Sequence, residues 1–300
     1  SFLLIAIWGP GSEMAWPVEW GKDLGKSIDA SIRWITIEAD FILDPISDGV
    51  LYFLLFLEDF FLWIPWPVLI LGVGAAAYKI AGRGVAIFSW VALLIMGLLG
   101  LWESAMETMA LIGVAVILSI VIAVPIGIAA ARNDTLDSIL RPLLDGMQTM
   151  PSFVYLVPAV MFFGIGNVPA IFATLVYATP PAIRLTNLGI RQVSAETVEA
   201  ARSFGTTSRQ LLWKVQVPMA VPTIMAGINQ TTMMALAMVV IASLVGAGGL
   251  GEDVNRALNR FQPGQALLGG MGIVFLAIII DRVTQAAAKE RQEALMGPGR

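Results

Sequence analysis

The sequence predicts an all-α integral membrane protein of about seven transmembrane helices, and three observations predict it. Hydrophobic residues make up 57% and charged residues 13% of the 300, with a mean hydropathy of +0.80. Soluble domains carry about 25% charged and 45–50% apolar residues, so a chain this apolar needs lipid as its outer solvent. Second, uncharged runs of helix-spanning length recur along the chain. Third, Lys and Arg gather on alternate connections between those runs.

The runs set the elements in order. Residues 60–78 and 84–102 are two stretches of 19 uncharged residues, 108–131 is one of 24, and 261–280 one of 20. Each matches one helix, because about 20 residues at about 1.5 Å rise cross the hydrocarbon and an ionised group at its centre costs about 3 kcal/mol. Two runs are longer. Between Asp145 and Arg184 lie 38 uncharged residues, interrupted by Gly164-Ile165-Gly166-Asn167-Val168-Pro169. Glycine, Asn and Pro supply a tight turn, so two helices are expected there. Between Lys214 and Glu252 lie 37, read as one helix over 218–245 followed by a glycine-rich loop or re-entrant piece over 246–251.

Seven spans put the termini on opposite sides. With a cytoplasmic C-terminus, thirteen of the 18 Lys and Arg residues fall inside and five outside, the asymmetry of the positive-inside rule. Trp63, Trp66 and Trp102 then sit at the outer interface. Residues 1–59 stay outside and hold ten acidic residues. Apolar and charged positions mix too evenly over 28–61 for a span, so an amphipathic helix on the outer leaflet is expected, with a poorly ordered tail as the alternative for 10–28. The chain starts without Met, and Phe2–Trp8 is too short for a span or signal core, which fits a truncated start. The expected division is an acidic external segment (1–59), two accessory spans (60–102), a core (103–290) and a cytoplasmic tail (291–300).

Composition also excludes. A net charge of −4 argues against nucleic acid, which needs a basic footprint. With no Cys and no His, thiolate nucleophiles, Ser-His-Asp triads and most transition-metal sites are ruled out. No catalytic residue, metal or cofactor of this chain's own is expected.

One polar stretch stands out, Ser194 to Pro218. Ser194 suits the N-cap of a helix with Glu196 in its first turn, Gly205 the position just past its end, and Thr206 or Thr207 the cap of a second helix; Pro218 marks the return to the membrane. Such a folded hairpin between spans suggests docking to a partner.

Glu199-Ala200-Ala201, three residues, Gly205, nine residues, then Val215-Gln216-Val217-Pro218 resembles the EAA loop of binding-protein-dependent ABC importers, with Val where the family pattern has Ile and Leu. Arg141–Pro158, Phe163–Pro169 and Pro222–Gln230 resemble the glycine betaine/proline betaine permeases of the ProU type, and the likeness covers roughly 60–290. That resemblance implies a type I ABC importer permease fold and a homodimer in a bacterial inner membrane. It also implies two cytoplasmic ATPase subunits that bind the ATP and Mg, and a periplasmic substrate-binding protein. Because this chain stops at Arg300, the receptor is expected to be separate. The EAA residues Glu199, Ala200, Ala201, Arg202, Gly205 and Pro218 are expected to couple to the ATPase across 191–218. Ala200 and Ala201 would allow close approach, and Gly205 the turn. Met147, Met150, Met233, Met234, Met238 and Asn229 are candidates for lining a translocation path, with ordinary packing as the other reading of the methionines. Glycine betaine, proline betaine, choline, carnitine and trimethylamine N-oxide all remain open as substrates.

Other signals are weaker. Gly21–Ser27 is one residue short of a phosphate-binding loop, and Gly246–Gly251 satisfies G-x-G-x-x-G without a preceding strand. Trp8, Trp16, Trp20 and Trp34 offer an external aromatic cage for a quaternary ammonium, or simple interfacial anchoring. Asp145 and Arg184 read as boundary residues or as functional charges. The rival from another class, an ion-gradient-driven transporter of small zwitterions, needs intramembrane carboxylates, and no Asp or Glu falls at the centre of a predicted span.

Overall fold

A computed structural model describes residues 20–296, and every regular element among them is helical. In chain order they are α1 (Trp20–Glu38), α2 (Asp40–Trp63), α3 (Trp66–Ala81), α4 (Arg83–Leu98), α5 (Trp102–Arg132), α6 (Asp134–Thr149), α7 (Leu156–Phe163), α8 (Asn167–Arg191), α9 (Ala195–Ser203), α10 (Ser208–Leu211), α11 (Val217–Ala242), α12 (Leu250–Asn259) and α13 (Pro263–Met296).

Proline writes two of the breaks. A residue before proline is pushed out of the helical region. Ile64, before Pro65, is extended at φ −72°, ψ 123°, and Met150, before Pro151, at φ −69°, ψ 137°. The chain bends by 100° between α2 and α3 and by 108° between α6 and the segment from Ser152. The first uncharged run therefore becomes helical again only at Trp66. The stretch expected as one helix after Asp145 is instead the end of α6, a 3₁₀ turn over Ser152–Tyr155, and the eight residues of α7. Gly164 and Gly166 then make the turn into α8 that the sequence predicts.

Among the described residues, four helical stretches are long and apolar enough to cross a membrane: Trp102–Arg132, Asn167–Arg191, Ser208–Val245 and Pro263–Lys289. Counting each bent pair as one span gives six; seven requires α3, α4 and α7 to cross as separate segments. The N-terminal amphipathic element is two helices parted at Ala39, and α2 packs into the bundle: Val50 and Leu54 are buried with Leu111 and Val114 of α5 and Ile171 of α8. Residues 1–19 lie outside the described part.

The core is α8, the most buried of the four long stretches, held between α5 and α11. In lipid, helices gain little from apolar burial against one another, so close packing of small residues carries the association. A Cβ on Gly127 of α5 would fall 2.6 Å from Thr186 Cβ of α8, and one on Gly227 of α11 would fall 3.0 Å from Leu185 Cβ. Buried Ala115, Ala123, Ala178 and Ala182 extend these close faces. A second cluster joins α3, α4, α5, α12 and α13 through Ile70, Leu93, Met96, Met106, Leu250 and Leu276.

The two ends of the core differ. At one end α8 and α11 are joined by the polar hairpin of α9 and α10. At the other, the glycine-rich loop after α11 is knitted to the starts of α5 and α8. Gly166 N–H donates to Val245 O (2.8 Å), Gly248 N–H to Asn167 Oδ1 (3.0 Å), and Leu250 N–H to Thr108 Oγ1 (2.8 Å). The loop expected over 246–251 is packed between helices and ends at Gly249, since Leu250 and Gly251 already open α12; no strand precedes it, and residues 21–27 lie within helix α1. Neither has the architecture a nucleotide site needs.

Candidate functional site: the polar hairpin and its clamp

The hairpin is built by its caps. Ser194 Oγ accepts from Thr197 N–H (3.3 Å) at the start of α9, satisfying a donor the helix itself leaves free. At the other end, Gly205 takes φ +75°, a left-handed conformation that glycine adopts without steric cost. Gly205 N–H donates to Arg202 O (2.9 Å) and Thr206 N–H to Ala201 O (3.4 Å), the paired bonds of a Schellman turn, and Thr206 Oγ1 adds a third to Ala201 O (2.8 Å). Thr207 then caps α10 reciprocally with Gln210, a capping box. Of the two expected cap residues, Thr207 holds the position.

The second arm does not end where the sequence suggests. Ser208 to Val245 is one continuous helical stretch, and Pro218 sits in its early part. Proline has no N–H and its ring crowds the carbonyl four residues back, here that of Lys214. A π-turn over Leu212–Gln216, with Val217 N–H reaching Leu212 O, widens the helix just before it. Pro218 therefore marks a local widening within a continuing helix. Leu212 is buried with Ile190, Ala220 and Ile224, and this anchors the hairpin to the bundle.

Within the hairpin, Glu199, Ala200 and Arg202 are exposed whereas Ala201 is buried. Ala200 is thus available for close approach by a partner, and Ala201 packs inside the chain. Phe204 at the turn is 90% exposed, and Trp213, in the π-turn of the second arm, is 54% exposed.

Beside the hairpin, α6 is clamped to α8. α6 carries Asp134, Asp137, Arg141 and Asp145 in sixteen residues and lies outside the four long apolar stretches. Arg191, the last residue of α8, donates through Nη1 to Asp134 Oδ1 (2.7 Å), through Nη2 to Ala130 O of α5 (2.8 Å) and through Nε to Asn187 Oδ1 (2.8 Å). Asn187 Nδ2 donates to Asp137 Oδ1 (2.7 Å), Arg141 pairs with Asp137 Oδ2 (2.6 Å), and Arg184 pairs with Asp145 (2.5 Å). Asp137 is buried, and the Arg141 hydrogen bond holds its carboxyl below the ordinary carboxylate range against the burial that pushes it up. Arg191, Asn187 and Asp137 belong to no motif that the sequence singles out as a site. Their i, i+4 spacings (137/141, 187/191) were the available signal.

The candidate path residues do not share one face, although Met147 and Met238 both meet Tyr155. Successive helical positions turn by 100°, so Met234 and Met238, four apart, share a face of α11 at different levels, and Met233 points away from them. Met233 is exposed, Met234 packs toward Ile112 and Ala178, and Met238 is fully buried beside Tyr155, Leu156 and Ala173. Met147 is half-buried beside Leu144 and Ile183, and its carbonyl accepts from Tyr155 Oη (2.5 Å); Met150 is exposed at the Pro151 bend. Asn229 donates to Asp281 of α13 (2.9 Å), while its buried Oδ1 is without a hydrogen-bond partner. Asp281 is thus a polar tie between α11 and α13. Of the tryptophans weighed as a cage, Trp34 is exposed on α1, Trp20 opens it, and Trp8 and Trp16 lie outside the described residues.

Residues 123–289 match the family model described as binding-protein-dependent transport system inner membrane component. The chain is 49% identical over 264 residues to the glycine betaine/proline betaine transport system permease protein ProW of Escherichia coli (strain K12), covering 86% of this chain and 75% of that one. It is 45% identical over 262 residues to the glycine betaine transport system permease protein OpuAB of Bacillus subtilis (strain 168), covering 87% and 93%. Among solved structures, an inward-facing crystal form of the MetNI methionine ABC transporter superposes with a TM-score of 0.59 at 22% identity, over 64% of this chain and 96% of that one. The fold is therefore that of an ABC importer permease, and the family implies an ATPase and a substrate-binding protein as partners. With the capped hairpin between α8 and α11 and a family match that spans it, the chain belongs to the binding-protein-dependent transport system inner membrane components, as the permease subunit of an ABC importer.

Proposed function

We propose that this chain forms half of the translocation unit of an importer for betaine-type osmolytes, as a homodimer with two ATPase subunits. ATP and Mg are held and hydrolysed on those subunits, and the hairpin is the coupling element that docks on them. The observation that carries this is the α9–α10 hairpin. It is capped at both helices, turned at Gly205, anchored through Leu212, and exposes Phe204 at its turn and Trp213 on its second arm. Glu199, Ala200, Arg202 and Gly205 act at the docking face, Ala201 holds the helix to its own chain, and Pro218 sets the widening behind it. The hairpin end is cytoplasmic and the Gly246–Gly251 end periplasmic, which the distribution of Lys and Arg favours. Glycine betaine and proline betaine are the first substrates to test, from the names of the relatives.

The test is co-purification of the tagged permease with its ATPase from native membranes, followed by reconstitution into proteoliposomes with the substrate-binding protein. Hydrolysis and uptake that rise together with glycine betaine support the reading. Uptake driven by an ion gradient without ATP would overturn it.

A further inference from the structure

Arg191 stands three residues before the cap of α9, and its guanidinium joins three elements: Ala130 at the end of α5, Asp134 at the start of α6, and Asn187 on α8. Further along, α6 is held to α8 by Asp137–Asn187 and Asp145–Arg184, so three ties run its length. The crevice between the two helices is lined by Arg141, Arg184 and Arg191 with Asp137 and Asp145, and Asp134 meets Arg191 outside its lining. Each guanidinium is already paired with a carboxylate, Arg141 with Asp137, Arg184 with Asp145 and Arg191 with Asp134, so the arrangement is a clamp.

We propose that Arg191 is a positioning residue that passes movement of the hairpin sideways into α5 and α6, and through the Pro151 bend to α7. The proposal rests on the reading of the hairpin as the ATPase-docking element. Three features carry it. The guanidinium uses its Nε and both Nη atoms at once, a fork that lysine does not reproduce. Asp134, its strongest ionic partner, is 90% exposed, and exposed ion pairs contribute little to stability, so what the pair supplies is registry. Finally, α7, beyond the bend, packs Leu156 and Ala159 against Ala173 of α8 and Met238 of α11. A displaced α6 therefore reaches the core by a second route besides α8 itself.

The chain has no cysteine, which permits a clean test in the reconstituted complex, read as glycine betaine taken up per ATP hydrolysed. Arg191→Ala is expected to assemble with the ATPase and to hydrolyse ATP, while uptake per ATP falls about tenfold, within the span of typical coupling energies. Arg191→Lys should fall between. In the Asp134→Cys/Arg191→Cys pair, a reversible bifunctional thiosulfonate should restore uptake per ATP, and reductant should abolish it again. A purely stabilising role would shift melting temperature and would not give reversible recoupling. Wild-type uptake per ATP in Arg191→Ala, a cross-link without effect, or an Arg191→Ala chain that cannot assemble would each overturn the proposal. Absence of ATP-driven uptake in the wild type would instead overturn the proposed function.

Discussion

Gly205 offers the sharpest quantitative test of the hairpin. Its φ of +75° lies where an L-residue costs about 1–2 kcal/mol, and a Cβ added there meets nothing within 4 Å. The whole cost is therefore backbone strain at the turn, with no clash to spread into the bundle. Set against the Schellman bonds and the Thr206 hydroxyl bond, 1–2 kcal/mol lowers the ratio of intact to open turn by roughly 5–30-fold. Substitutions should rank by their tolerance of the left-handed region: Gly205→Asn mildest, Gly205→Ala intermediate, Gly205→Val worst. Gly205→Asp, nearer Asn than Val on this scale, adds a negative charge at the docking face and should lose coupled uptake beyond its strain. The assay is ATP-driven uptake at matched permease content, alongside melting temperature in detergent, which should barely move across the series. Equal uptake in Val and wild type, or Asn as damaging as Val, would refute the strain argument.

Other outcomes follow from particular contacts. Phe204→Ala and Trp213→Ala should each weaken ATPase co-purification without lowering melting temperature, because both side chains are exposed; unchanged co-purification would remove the docking role from them. Gly251→Ala places a Cβ 2.3 Å from Val239 O and should destabilise by about 1–3 kcal/mol through forced backbone shifts, whereas Gly146→Ala, with nothing within 4 Å, should melt no lower than wild type. Asp137 titrates lower in the folded chain than in the unfolded one, so its contribution is full above about pH 4 and fades as pH falls further. The melting-temperature gap between wild type and Asp137→Asn should be present at pH 7 and shrink below about pH 4; a gap that widened on acidification would contradict the pairing.

The long uncharged runs, the turn at Gly164–Pro169 and the cap residues Ser194, Gly205 and Thr207 were legible because each rests on local chemistry: hydration of charge, left-handed backbone, side-chain capping. The Pro151 break was written in the sequence too, but the absence of charge across 146–163 masked it, since charge reports solvent and not backbone continuity. Pro218 misled in the opposite direction: a π-turn absorbs a proline that ordinarily signals a boundary. The clamp at Arg191 was out of reach for another reason. Asp134 and Arg191 are 57 residues apart, and only the packing of α6 on α8 brings them together. The methionines show the limit of composition: of the three at 233, 234 and 238, Met233 is exposed, and Met234 and Met238 on one face pack into different clusters.

The continuous stretch from Ser208 to Val245 has a mechanical consequence. Its 38 residues make a lever about 57 Å long at 1.5 Å per residue. Its far tip is pinned where Gly166, Asn167 and Thr108 hold the glycine-rich loop. A tilt of about 5° around that fulcrum sweeps the hairpin tip through about 5 Å, the rise of roughly one helical turn. The same arithmetic runs backward: a push of a few ångströms at Phe204 turns the core helix by only a few degrees.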